Sequence, residues 1–238
     1  MQVFEYGAAE GTPVVFFMGT PQKGESGAEF SPLASELGIR LICPTRPWYN
    51  NVAVAPSFEL CTDATLAYLK QHGIERAFAL GGSGGGPFAL HLSTTNEAIF
   101  AACYLLASMG TPEIFVDKVT SLPTLQLLDL LSRNSNEHAI DQLGTWGLPQ
   151  DLAHGAWSDF QVLLGDWSSI TYSAEIPVYI HHGKLMTTHL LKAFVLLPGS
   201  CPIALFVSRR MPAMSYLLKM SHSQSYGQSS VKSCSTRS

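Results

Sequence analysis

Residues 77–87 read Ala77-Phe78-Ala79-Leu80-Gly81-Gly82-Ser83-Gly84-Gly85-Gly86-Pro87. A short apolar run passes without a linker into glycines around a single serine, and a proline tolerated in a first helical turn follows. The expected local structure is strand, sharp turn, helix. Gly81, Ser83 and Gly85 fit G-x-S-x-G in that context, the pattern of a nucleophile elbow. A turn this tight strains the serine backbone, and side chains two positions to either side would collide, so glycine is wanted at both. The turn lifts the Ser83 hydroxyl clear of the sheet and aims the first N–H groups of the helix at a developing oxyanion. A phosphate-binding loop and a plain turn are the alternatives. The first lacks a Walker Lys-Ser/Thr, and G-x-G-x-x-G is met only loosely.

Working outward, the chain alternates. Val14 to Met18 is a continuous apolar run of strand length, as expected of a strand buried on both faces. Phe30, Leu33, Ala34 and Leu37 sit at helical intervals before Gly38, and Ile39 to Cys43 is a second strand. The loop from Pro44 to Pro56 leads to a helix over Phe58–His72, closed by Gly73. Pro87 to Ser93 reads as a helix and Ala101 to Ala107 as a buried strand. This order predicts an α/β fold with helices layered on a mostly parallel sheet. From Thr111 to Trp167 short helical stretches such as Leu122 to Leu131 replace the alternation, predicting a helical insertion. Strands return at Ile176–Ile180 and Leu205–Ser208, with helices expected over Thr188–Leu196 and Met214–Met220. Residues 1–220 are expected to form one domain. Residues 221–238 hold eight serines and no acidic group, and are expected to be a disordered tail.

Composition narrows the function. The 238 residues are 46% hydrophobic and 13% charged, with a net charge of -4; mean hydropathy is +0.16. A basic footprint for duplex DNA is lacking, and the apolar runs are too short for a membrane span. Neither nucleic acid nor membrane is an expected partner, and a small-molecule substrate or ligand is. The first residues have no basic n-region or long apolar stretch, so a cytoplasmic location is expected. The five cysteines are widely spaced, without CxxC, and read as buried thiols. No metal motif and no cofactor motif is present. Oligomeric state is not fixed by these features.

The chain resembles an α/β-hydrolase of the small esterase and prolyl-aminopeptidase-like branch. Phe16-Phe17-Met18-Gly19-Thr20-Pro21 resembles the branch's His-Gly-Thr-Pro oxyanion loop, with Met18 in the His place. Pro44-Thr45-Arg46-Pro47-Trp48-Tyr49-Asn50 resembles Pro-Asp-Arg-Pro-Gly-Tyr-Gly, departing at Thr45, Trp48 and Asn50. Leu80 to Pro87 resembles the elbow itself, and Ile176 to Gly183 the strand before the triad acid. The resemblance implies an α/β-hydrolase fold with residues 111–167 as a lid. It implies Ser83 as nucleophile, with oxyanion donors at Gly84 and at Gly19 or Thr20.

The same resemblance puts the triad acid at Met186 and the triad histidine at Ala213, so both residues are replaced. None of the 18 acidic residues lies after Glu175. An acid from the end of the Ala101–Ala107 strand would be Glu113 or Asp117, and the late histidine nearest the usual chain order is His222. His181 or His182 is a candidate pocket residue. Two expectations follow. One is a weak serine hydrolase of small hydrophobic esters or amides, its apolar preference set by Leu125, Leu128, Leu131, Trp146, Trp157 and Phe160 of the insertion. The other is a catalytically impaired protein of the same fold that binds a ligand or a partner.

Overall fold

A computed structural model of the protein describes residues 1–112, 129, 136–170, 175–183 and 203–208. The helices expected at 122–131, 188–196 and 214–220, and the tail at 221–238, lie outside them.

Seven strands form one sheet: β1 (Val3–Gly7), β2 (Thr12–Phe17), β3 (Ile39–Pro44), β4 (Ala77–Gly82), β5 (Phe100–Leu106), β6 (Val178–Gly183) and β7 (Ile203–Ser208). Their order across the sheet is β1-β3-β2-β4-β5-β6-β7. β1 pairs antiparallel with β3, Glu5 opposite Ile42, and every other pairing is parallel. Both faces are covered, which is why the strands read as apolar runs without a polar alternate. Along β2, Val15 and Phe17 enter one core cluster while Val14 and Phe16 enter the other.

Helix α1 (Ser31–Glu36) buries Ala34 in the second cluster and is closed at Gly38, whose φ is 65°. It is shorter than the spacing suggested because Phe30 still belongs to a 3-10 turn over Gly24–Phe30. On the opposite face lies α2 (Phe58–Gln71). Its first turn is capped by Ser57, whose hydroxyl accepts from the Leu60 N–H at 3.1 Å, satisfying one donor that the helix leaves unpaired. It buries Phe58, Cys61, Thr62, Thr65 and Leu69 along one stripe. Helix α3 (Gly86–Thr94) is buried along its whole length. Within the insertion, α4 (Asn136–Thr145) and α5 (Gln150–Leu163) enclose a small core of Ala139, Leu143, Ala153, Ala156 and Trp157. The other side of α5 is part of the main core, through Val162 and Leu163. A Cβ on Gly155 would lie 2.1 Å from the Tyr49 ring, so only glycine lets α5 approach this closely.

Cys43, Cys61 and Cys103 are buried thiols, and burial pushes Cys43 and Cys61 up to about 12. Among the described residues, no helix is long and apolar enough to cross a membrane and no cluster of metal-ligating side chains occurs.

The chain reverses its winding at β2 and β4. The connection after β2 leads to β3 on one side, and the connection after β4 leads to β5 on the other. The crevice at the carboxyl ends of two such strands is where open α/β sheets bind ligands. Here it lies between the Met18–Thr20 loop and Ser83.

His91 offers a test of the packing behind this crevice. Its Nδ1 shares a 2.7 Å hydrogen bond with the Thr62 hydroxyl, and its ring stacks on Phe58. Burial holds its pKa below the ordinary 6.5, against the opposing pull of Glu59 and Asp63. The unfolded chain therefore binds this proton at a higher pH than the folded one. The contribution is complete above about 6.5 and is lost as pH falls from there through the lower folded value. Between about pH 7 and pH 5, the urea midpoint of the wild type should fall more steeply than that of His91→Gln. Parallel slopes would show that His91 is not held neutral.

Candidate active site

Ser83 sits where β4 ends, at the start of a 3-10 turn over Ser83–Gly85 that runs directly into α3. Its φ is 49°, left-handed backbone that a residue with a Cβ rarely adopts and that costs about 1–3 kcal/mol. The surrounding glycines let it persist. A Cβ on Gly81 would lie 2.5 Å from the Gly86 Cα, and one on Gly85 would lie 2.2 Å from the Phe17 carbonyl oxygen. The collision expected at both positions is thus a backbone collision. One on Gly86 would meet the Ser108 hydroxyl at 1.9 Å. The Ser83 carbonyl accepts from the Met109 N–H at 3.1 Å. Neighbouring Ala107, at the end of β5, also has a positive φ, of 47°.

The loop after β2 faces this turn. A Cβ on Gly19 would come within 3.3 Å of the Ser83 Cβ, and one on Gly84 within 2.5 Å of the Thr20 hydroxyl. Four residues singled out in the sequence therefore meet here: Ser83, Gly84, Gly19 and Thr20. Ser83 is exposed and opens on a cavity of about 270 Å³. Phe16, Met18, Phe30, Leu80 and Leu106 give the cavity its apolar wall, with Gln22 and Glu29 also on its lining. The apolar wall thus comes from strand ends and the Gly24–Phe30 turn. Trp157 and Phe160 pack instead between α4 and α5, and Trp146 is 36% exposed. Leu125, Leu128 and Leu131 lie outside the described residues.

His181 lies within β6, where its carbonyl accepts from the Ala107 N–H at 2.8 Å, and it is not among the cavity-lining residues. Glu113, Asp117, Met186, Ala213 and His222 lie outside the described residues. The described part of the cavity wall contains no imidazole.

Sequence reasoning missed the group beneath the loop. Asp159 of α5 is 0% exposed and Arg46 1%. Asp159 Oδ1 accepts from Arg46 Nε at 2.7 Å and Trp48 Nε1 at 2.9 Å. Its Oδ2 accepts from Arg46 Nη2, the Tyr49 hydroxyl and the Thr20 hydroxyl, each at 2.6 Å. Arg46 also donates through Nη1 to the Met18 carbonyl at 2.7 Å, and its guanidinium lies over the Phe88 ring. Burial opposes the Arg46 charge, but Asp159 and Tyr49 outweigh it and raise its pKa above the ordinary value. Burial, with Asp159 adjacent, holds the Tyr49 phenol well above its ordinary range. The one legible signal was Arg46-Pro47-Trp48-Tyr49, a run of side-chain donors in a chain poor in charge.

The contact between Gly86 and Ser108 gives a check on the turn. Gly86→Ala should destabilise the protein by about 1–3 kcal/mol through overpacking. Ser108→Gly in the same chain should recover part of that loss, because it removes the atom the new Cβ meets. Additive effects in urea unfolding would mean that the two residues do not touch.

No family model matches the sequence, and neither does any curated protein. Solved structures do match. The 2-hydroxy-6-oxo-6-phenylhexa-2,4-dienoate hydrolase of Rhodococcus sp. strain RHA1 superposes with a TM-score of 0.63 at 14% identity, over 93% of this chain and 94% of that one. An esterase of Exiguobacterium antarcticum gives 0.62 at 17% identity, over 93% and 92%. The proline iminopeptidase of Mycobacterium smegmatis gives 0.58 at 17% identity, over 93% and 91%. Strand order, the serine turn after β4 and these likenesses agree: the chain has the α/β-hydrolase fold.

Proposed function

We propose that the protein is a serine-dependent hydrolase that acts by acyl transfer on small hydrophobic esters or amides. The observation that carries this reading is Ser83 itself. It is a left-handed serine at a strand-to-helix turn, exposed at the mouth of an apolar cavity. In this reading the turn is a nucleophile elbow. Ser83 Oγ attacks the substrate carbonyl carbon, and the C=O electron pair moves onto oxygen. The backbone N–H of Gly84 and one from Gly19 or Thr20 form the oxyanion hole that holds that charge. The tetrahedral intermediate collapses to an acyl-enzyme and releases the alcohol or amine, and water then frees the acid. The wall of Phe16, Phe30, Leu80 and Leu106 favours an apolar group next to the carbonyl. Residues 111–167 act as the lid. His222, with Asp117 or Glu113, supplies the base and its orienting acid. No resident cofactor enters the reaction.

A second reading has its own support. Met18, Met186 and Ala213 stand where the resemblance calls for histidine, an acid and histidine. Losing triad members lowers turnover by about 10⁴-fold or more, and would leave a protein that binds a small apolar ligand in the same cavity.

Fluorophosphonate labelling followed by intact mass separates the two. The hydrolase reading expects one adduct on the wild type and none on Ser83→Ala. A folded wild type that takes no adduct refutes it and leaves the ligand-binding reading.

A further inference from the structure

The loop that faces Ser83 is tied down at three points to one buried ion pair. Arg46 Nη1 donates to the Met18 carbonyl at 2.7 Å, and Nη2 donates to the Gln22 carbonyl at 3.3 Å. Between them, the Thr20 hydroxyl donates to Asp159 Oδ2 at 2.6 Å. The loop closes on itself through the Gln22 N–H, which donates to the Gly19 carbonyl at 2.7 Å. On its other side it leaves no room for a side chain at Gly84, where a Cβ would lie 2.5 Å from the Thr20 hydroxyl, and little at Gly19, where one would lie 3.3 Å from the Ser83 Cβ.

The Thr20 bond differs from the others that Asp159 receives. An ionised carboxylate offers about four lone-pair sites. Arg46 Nε and Nη2, Trp48 Nε1 and the Tyr49 hydroxyl already supply four donors. The buried charge is therefore satisfied without Thr20, and the fifth donor is not needed to keep Asp159 in the core. What the fifth bond fixes is Thr20. Thr20 and its neighbour Gly19 carry the two candidate loop N–H groups of the proposed oxyanion pair, and a Cβ on Gly84, which carries the other donor, would meet the Thr20 hydroxyl at 2.5 Å.

We infer that Thr20 is a positioning residue: its hydroxyl, held by Asp159 of α5, sets the Gly19–Thr20 backbone at the distance from Ser83 and Gly84 that oxyanion binding requires. The inference rests on the acyl-transfer reading and deepens it, because it makes a helix of the insertion part of the oxyanion site. Thr20 acts through its backbone neighbours and performs no proton transfer.

Thr20→Val keeps the branched shape and loses the donor, whereas Thr20→Ser keeps the donor. The rate of fluorophosphonate labelling reads the oxyanion geometry, since the phosphoryl oxygen occupies the same place as a carbonyl oxygen. Thr20→Val should label about 10–100-fold more slowly than wild type, the range that a misplaced donor costs. Thr20→Ser should stay within about threefold of wild type, as a retained donor requires. Amide hydrogen exchange over residues 18–24, followed by mass spectrometry, should quicken in Thr20→Val and not in Thr20→Ser. Thr20→Ala takes the place of Thr20→Val if the latter lacks a cooperative unfolding transition. The inference is overturned if Thr20→Val labels as fast as wild type, or if Thr20→Ser is impaired equally. A wild type that takes no adduct overturns the hydrolase reading instead. Exchange over 18–24 then decides the clamp: faster exchange in Thr20→Val alone upholds it, and unchanged exchange refutes it.

Discussion

One carboxylate, placed where water does not reach, organises everything around Ser83. Asp159 is tolerable there because Arg46 neutralises it, and Arg46, Trp48 and Tyr49 supply four donors to its oxygens. A buried pair of this kind adds little net stability, and apolar groups of similar volume are often as stable. Apolar groups could not, however, hold the Met18 and Gln22 carbonyls and the Thr20 hydroxyl at fixed places. The pair joins the turn after β3, the loop after β2 and helix α5, elements far apart in sequence. Breaking one side would leave a charge stranded in the core, a loss of about 3–5 kcal/mol. The geometry of the loop is thus bound to the integrity of the fold.

The second constraint is backbone strain, and it is concentrated. Among the described residues, the non-glycine residues of positive φ are Ser83, at the end of β4, and Ala107, at the end of β5. Both line the same cavity. Each conformation would relax if its surroundings allowed it. At Ser83 they do not, because the glycines at 81 and 85 bring backbone against backbone and Gly86 lies against the Ser108 side chain. Strain held beside a cavity by close packing is the mark of a site selected for geometry rather than for stability.

How much of this was legible depends on the range of the interaction. The strands and helices up to Leu106 were readable, because apolar runs and 3.6-residue spacing are local signals. The serine turn was readable because its G-x-S-x-G pattern is local, although Gly85 and Gly86 also answer to Phe17 and Ser108. Arg46 and Asp159 were not, since their pairing spans 113 residues and Asp159 reads as an ordinary polar position on a helix. Trp48 looked like a departure from the resembled motif. In the folded chain it is one of the donors that make the buried carboxylate possible. The aromatics of the insertion looked like a substrate wall by composition alone. Trp157 and Phe160 are consumed in packing α4 on α5, and the wall comes from strand ends whose side chains looked like core.

An acyl-transfer site has two halves, one that stabilises negative charge and one that moves protons. In the mechanism proposed above they draw on different segments of the chain. The first is built from residues 16–22, 46–49, 81–86 and 159, which the ion pair and the glycine turn hold together. The second is proposed to draw on His222 with Asp117 or Glu113, which lie outside the described residues. Since β4, β5, β6 and β7 are parallel, β6 and β7 end at the same edge of the sheet as Ser83, and the sequence segments that follow them are residues 184–202 and 209–238. Those segments carry His189 and His222 but no carboxylate, because none of the 18 acidic residues follows Glu175. An orienting acid for either histidine has to come from before β6, which makes the segment after β5, with Glu113 and Asp117, the natural source. The charge-stabilising half alone retains about 10³–10⁴-fold over water in triad enzymes stripped of their triad. In the mechanism proposed above, that half is the loop, the turn and the buried pair, and its geometry is set independently of the proton-moving groups.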